Sequence, residues 1–216
     1  MKGEFKMAKL LYIQSSPRKE RSSSNKIADA FADAYLKQKP KDEVVRINLF
    51  EKVLPPFDGF TINAKYNIMH GQKHSKSEAD AWAIVEGIIE EFKSADKYLF
   101  SVPMWNFGIP YRLKQYIDII TQPTYTFTFE QDKGYKGLVV NKPAMVVFSR
   151  GGDYSNPEIE KQVDHQKSYM NLLLGFIGFT DIKSVAAQPT LAGGPETASV
   201  KIKQACEQAE NIAKNF

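Results

Sequence analysis

Between residues 15 and 25 the chain reads Ser-Ser-Pro-Arg-Lys-Glu-Arg-Ser-Ser-Ser-Asn, with an apolar run before it and a helical pattern after it. Hydroxyls beside a helix N-terminus, where the first amides lack intrahelical acceptors and the dipole is positive, make a site for an anion. Arg18, Lys19 and Arg21 add positive potential there. The same serines also suit a plain helix N-cap in a solvated loop. The loop has neither the G-x-G-x-x-G spacing of a dinucleotide site nor the Lys-Ser/Thr ending of a P-loop. A phosphomonoester, of the kind FMN carries, is therefore favoured over a nucleoside triphosphate or a tightly held dinucleotide.

Two further loops have chemistry to offer. Pro103-Met104-Trp105-Asn106-Phe107-Gly108-Ile109-Pro110 brings apolar rings and one amide side chain together, which is what a flat heteroaromatic ring needs. Ser149-Arg150-Gly151-Gly152-Asp153-Tyr154 contains two glycines that allow close backbone approach and can present N–H groups to developing negative charge. Each also reads as an ordinary strand-to-helix turn.

Hydrophobic periodicity gives the elements that must position these loops. Short apolar runs predict buried strands at Leu10–Gln14, Glu43–Asn48, Lys97–Val102, Pro143–Ser149 and Ile182–Gln188. Helical spacing groups Ile27, Ala28, Phe31, Ala32 and Tyr35, and again Trp82, Val85, Ile88, Ile89 and Phe92. A third helix is expected to start at Pro110 and run through Ile120, a fourth to span Pro157–Leu174, and a last to begin at Pro195, with Cys206 on its buried face. Strict alternation of strand and helix predicts an open parallel sheet covered on both faces, which binds ligands at the carboxyl ends of its strands. Leu49–Met69 reads as a long connection rich in large apolar groups, and Tyr125–Leu138 as a small inserted hairpin. Both are expected to pack over the site or against a second subunit.

Composition narrows the classes. With 216 residues the chain is expected to form one domain, 1–216, with Met1–Lys6 an extension ahead of the first strand. A single cysteine excludes a disulfide framework and multi-cysteine metal sites. The 29 Lys+Arg against 25 Asp+Glu are dispersed, so the net charge of +4 gives little support to nucleic-acid or membrane binding. Without a signal-like or membrane-spanning segment, the expected location is cytoplasmic. His70 and His74 are four apart but lack an H-E-x-x-H glutamate and a third ligand, so no metal is expected there. His165 reads as a helical histidine without a role.

The set Ser16 with Ser22-Ser23-Ser24-Asn25, Pro103 to Phe107, and Ser149 to Gly152 resembles the FMN-dependent NADH-azoreductases, also described as NADH:quinone oxidoreductases. The resemblance runs from Ala8 through nearly the whole chain, including Leu113-Lys114-Gln115-Tyr116-Ile117-Asp118, the hairpin around Thr126-Phe127, and Leu174-Gly175-Phe176-Ile177-Gly178. It implies an α/β flavodoxin-like three-layer sandwich with a five-stranded parallel sheet, and a homodimer with its flavin sites at the interface. It also implies FMN as cofactor, with its ribityl-phosphate held by Ser16, Ser22, Ser23 and Ser24. Met104, Trp105, Asn106 and Phe107 would line one side of the isoalloxazine, with Asn106 and Phe107 near its N5 edge. Ser149, Arg150, Gly151 and Gly152 would approach the pyrimidine end. Trp105 stands where the family usually has tyrosine, which bears on acceptor stacking and selectivity.

The implied reaction is hydride transfer from NADH or NADPH to the flavin, followed by reduction of a quinone or azo compound in the same space. No side-chain acid or base is required of the protein. Relatives labelled acyl-carrier-protein phosphodiesterases suggest hydrolysis, but the chain has no G-x-S-x-G elbow and no metal-ligand cluster. A flavodoxin-like electron carrier is the other reading. Such carriers are usually strongly acidic, unlike this chain, and are not reduced rapidly by free NADH.

Overall fold

Five apolar runs become five parallel strands because both faces of each are covered, so their sequences need not alternate with polar residues. The computed structural model describes residues 7–216; Met1–Lys6, expected to be an extension, lie outside the described residues. The strands are β1 (Lys9–Gln14), β2 (Glu43–Asn48), β3 (Lys97–Pro103), β6 (Ala144–Ser149) and β7 (Ile182–Ala187), in the spatial order β2-β1-β3-β6-β7. Leu11 pairs with Val45 on one side and Tyr98 on the other, and Phe100 with Val146, so the register is continuous across the sheet. β2 and β7 are the open edges, and they carry exposed Glu43 and Arg46 on one and a half-exposed Lys183 on the other.

Alternate residues of each strand serve opposite layers. Leu10, Tyr12, Leu99, Met145 and Val147 pack beneath α1 (Ser23–Gln38) and α7 (Gly194–Ala213). Leu11, Ile13, Phe100, Val146 and Phe148 meet α3 (Lys76–Lys93), α4 (Tyr111–Ile120) and α6 (His165–Ile177). This is the parallel sheet covered on both faces that the alternation predicts, and the flavodoxin-like three-layer sandwich that the resemblance implies. Cys206 is half-buried against the first of these layers, and burial raises its thiol above the ordinary value.

Several boundaries differ from expectation for local reasons. The connection after β2 contains α2 (Gly59–Met69), which Asp58 caps by accepting from the Thr61 amide and which packs on α3. Pro110 is the N-cap of α4, not its first residue: at φ −59° and ψ 142° it is extended, and the helix starts at Tyr111. The expected helix over Pro157–Leu174 is broken into α5 (Pro157–Val163) and α6 by Asp164. Its carboxylate accepts from the Gln166 and Lys167 amides, and that cap restarts the helix.

The inserted hairpin is β4 (Phe127–Glu130) with β5 (Gly134–Gly137). Its aromatic face meets α6, with Phe127 and Phe176 ring centroids 4.8 Å apart. Gly137 lies so close to the end of α6 that an added Cβ would be 2.2 Å from the Gly178 nitrogen.

Candidate functional site

The three chemically interesting loops leave adjacent strands at one edge of the sheet, at the switch point between β1 and β3. They are tied together by the backbone: the Ser15 amide donates to Ser101 O at 3.1 Å, and the Met104 amide to Ser149 O at 2.8 Å. The sequence-derived residues after β1, β3 and β6 therefore do converge on one rim.

After β1, Ser22 caps α1, its Oγ accepting from the Asn25 amide at 3.3 Å. The Ser23 and Ser24 amides, in the first turn, have no acceptor among the described residues. Ser16, Ser22 and Ser24 are buried and Ser23 half-buried. Ser24 Oγ lies 3.1 Å from Ser22 Oγ and 3.2 Å from Ser101 Oγ, and Ser101 Oγ donates its proton to Asn25 Oδ1. A polar seam thus runs from the helix start into the sheet. Lys19, exposed, pairs with Glu51 at 2.9 Å and links this loop to the segment after β2.

After β3, Trp105 and Gly108 exchange backbone hydrogen bonds of 3.0 and 2.9 Å around Asn106 and Phe107, both at positive φ (46° and 68°). This is the pattern of a type I′ turn, in which asparagine suits the first central position and glycine the second. Phe107 occupies the glycine position although its ring is half-exposed. Held left-handed, it is strained by about 1–2 kcal/mol. Phe107→Gly should therefore raise the unfolding free energy by roughly 0.5–1 kcal/mol, relief of strain outweighing glycine's entropy. Urea denaturation measures this, and a loss of stability would mean that ring contacts dominate the strain.

The Asn106 and Phe107 amides donate to nothing among the described residues, and neither do those of Gly151 and Gly152. Four unused donors thus stand at the ends of two neighbouring strands, able to meet carbonyl or anionic nitrogen positions of a planar ligand. Trp105 forms an aromatic wall with Phe50 and Tyr111, their centroids 5.8–6.1 Å apart. Arg112 holds the Phe50 segment by donating to Leu49 O at 2.8 Å and Lys52 O at 2.6 Å.

Arg150 is placed differently from its neighbours. Its side chain turns inward, 2% exposed, with Nη2 2.6 Å from Asp164 Oδ2. Burial lowers its pKa from the ordinary value, and the Asp164 carboxylate opposes that shift. Asp153, at the surface, lies below the usual carboxylate value because Ser155 hydrogen bonds to it.

A fourth loop, after β7, joins the rim without having been expected from the sequence. The Leu191 and Ala192 amides donate to Gly151 O, and a Cβ on Gly151 would lie 3.0 Å from Leu191 Cδ1. Its signal was available: it too comes after a strand and precedes Gly193-Gly194-Pro195 at a helix start. Asp164, Gln166 and Arg112 gave no such signal, since their partners are far away in the chain.

His165 opens α6, and its amide donates to Phe107 O at 3.0 Å. Its side chain borders a cavity of about 400 Å³ with Ile109, Lys114, Tyr169 and Leu172. His70 stacks near Tyr66, and His74 Nδ1 lies 3.0 Å from Gln72 O.

Comparison with known proteins gives concordant likenesses. A family model described as flavodoxin-like fold matches residues 8–213. The chain is 48% identical over 210 residues to the FMN-dependent NADH:quinone oxidoreductase of Nitratidesulfovibrio vulgaris strain DP4, covering 97% of this chain and 100% of that one. It is 47% identical over 185 residues to the protein of that description from Desulfotalea psychrophila, covering 86% and 87%. Among solved structures it resembles an azoreductase from Bacillus anthracis str. Sterne, with a TM-score of 0.89 at 30% identity over 97% of this chain and 100% of that one. A Bacillus anthracis str. Ames Ancestor FMN-dependent NADH-azoreductase, solved in complex with FMN, gives 0.85 at 29% over 96% and 100%.

Proposed function

The chain belongs to the flavodoxin-like fold family, and from that premise we propose that it is an FMN-dependent oxidoreductase that uses NADH or NADPH to reduce quinones and aromatic azo compounds. The observation that carries the reading is the set of four unused amides, at Asn106, Phe107, Gly151 and Gly152, on the same rim as the capped start of α1. FMN has matching chemistry at both ends: a phosphate for a helix N-terminus, and a flat ring whose edge is lined with acceptors.

In this proposal Ser16, Ser22, Ser23 and Ser24 hold the ribityl-phosphate. Met104 and Trp105 line the ring, while the Asn106 and Phe107 amides address its N5 and O4 side. Ser149 and the Gly151 and Gly152 amides steady negative charge at the pyrimidine end, with Arg150 contributing from behind the loop. When bound, FMN would supply the redox chemistry between NAD(P)H and the acceptor. The protein keeps the ring flat and its polar edge dry. The wall of Phe50, Trp105 and Tyr111 offers aromatic surface to donor and acceptor in turn, which suits a ping-pong sequence.

The proposal extends to one FMN-binding domain over 1–216, cytoplasmic, acting as a homodimer with its flavin sites at the interface. Support for the dimer comes from Tyr111, Leu172, Phe129 and Tyr135, large apolar groups exposed on α4, α6 and the hairpin. Among the described residues no helix is long and apolar enough to cross a membrane, and no cluster of three metal-ligating side chains occurs.

The test is a visible spectrum of the protein supplemented with FMN, taken before and after anaerobic NADH and then after a quinone. Bleaching by NADH and recovery with quinone is the expected result. Bound flavin that ignores NADH would leave a carrier, and no flavin uptake would remove the cofactor from the reading.

A further inference from the structure

Arg150 comes directly after β6, yet its guanidinium is held inside the protein by two hydrogen bonds and one ion pair. Nη2 meets Asp164 Oδ2 at 2.6 Å, Nε donates to Gln166 Oε1 at 3.1 Å, and Nη1 donates to Gln188 Oε1 at 3.0 Å. The group lies over the rings of Phe148 and Tyr154, 5.5 and 5.6 Å from their centroids. Its partners belong to other loops of the rim. Gln166 Nε2 donates to Val102 O at 2.9 Å, at the end of β3, and Gln188 begins the loop after β7. Asp164 caps α6, whose first amide, that of His165, holds Phe107 O. The Arg150 carbonyl accepts from the Thr190 amide and hydroxyl at 2.8 and 2.9 Å.

We propose that Arg150 and Asp164 are a positioning pair for the redox reaction: together they lock the turn at 104–108, the glycines at 151–152 and the loop at 188–192 into one frame, so that both pairs of free amides address a single ring. The inference rests on the flavin reading above. A buried ion pair is weak support for stability, since apolar replacements of similar volume are often tolerated, so its retention here calls for a geometric reason. The planar fork of arginine provides one, because three partners on two segments, the start of α6 and the loop after β7, fix its orientation. The phosphate loop lies outside this network.

That separation sets the expected outcome. Amides aimed at the pyrimidine end favour the reduced, anionic flavin over the oxidised form, so a slackened frame weakens binding of the reduced state selectively. The variant to make is Arg150→Met with Asp164→Asn, which removes both charges and leaves an acceptor to cap α6. The melting temperature of its apo-form should stay within a few degrees of the parent, and its affinity for oxidised FMN within about threefold. The preference for reduced over oxidised flavin should fall about tenfold, a drop in midpoint potential of about 30 mV. NADH-driven kcat should fall at least as far, with KM little changed. Each single substitution strands a buried charge and should lower the melting temperature more than the double does.

A double variant with parental potential and kcat would overturn the positioning role and leave the pair purely structural. Should the double variant fail to fold, Arg150→Lys decides the matter: it keeps the charge without the fork, so a lowered potential supports the proposal and an unchanged one overturns it. A parent protein that takes up no FMN would instead overturn the flavin reading itself, before any variant is compared.

Discussion

Replacing Ser22 and Ser24 together by alanine should raise the FMN dissociation constant about a hundredfold while leaving the spectrum of the flavin that still binds unchanged. Hydrogen bonds to charged groups contribute roughly 1.5–3 kcal/mol each, and two at the lower end amount to two decades of affinity. Part of the effect is indirect. Ser22 Oγ accepts from the Asn25 amide, so its loss also costs the start of α1 about 1 kcal/mol. Ser24 is less disruptive to remove than its burial suggests, because Ser101 Oγ keeps Asn25 Oδ1 as a partner. Fluorescence titration of the apo-protein with FMN measures the change, with riboflavin as the control. Riboflavin lacks the phosphate and should bind parent and variant alike. An FMN affinity that survives both substitutions would contradict the assignment of this loop to the phosphate.

Gly137→Ala should destabilise the protein by roughly 3 kcal/mol and lower the melting temperature by about 6–12 °C. The added Cβ would stand 2.2 Å from Gly178 N, 2.3 Å from Ile177 C and 2.4 Å from Gly178 Cα. All three are backbone atoms at the end of α6, so no side chain can swing away. The hairpin must lift, loosening the Val139 amide from Ile177 O and the Phe127 and Tyr135 rings from Phe176. Gly87→Ala is the matched control: it lies in α3 with open space around it and should gain about 0.5–1 kcal/mol. Thermal unfolding followed by circular dichroism separates the two. If Gly137→Ala melted with the parent, the close docking of hairpin on helix would not contribute to stability.

The sheet was legible in the sequence because buried parallel strands must be short apolar runs. All five were expected within a residue or two of their observed ends, and Glu43–Asn48 to the residue. Breaks that depend on one side chain were not legible. Asp164 splits a continuous helical pattern because its carboxylate caps the turn beginning at His165, and nothing in the periodicity distinguishes that aspartate from a solvated one. α2 was hidden for the opposite reason: apolar residues surround it on most sides, so no single stripe marks it as a helix. In the candidate site, loops were readable from their place after strands, whereas the direction of a side chain was not. Arg150 stood in a motif beside two glycines, and only three-dimensional proximity to Asp164, Gln166 and Gln188 turns it inward.

The two outermost strands bear on how copies of this protein can meet. A sheet margin offers unpaired amides and carbonyls to any passing strand, and charged side chains along it are a common deterrent. With Glu43 and Arg46 on one margin and Lys183 on the other, end-to-end growth of the sheet into ribbons is discouraged on both sides. Association is thereby channelled to helical and hairpin surfaces, where the proposed two-fold pairing would close after two copies instead of propagating into a fibre.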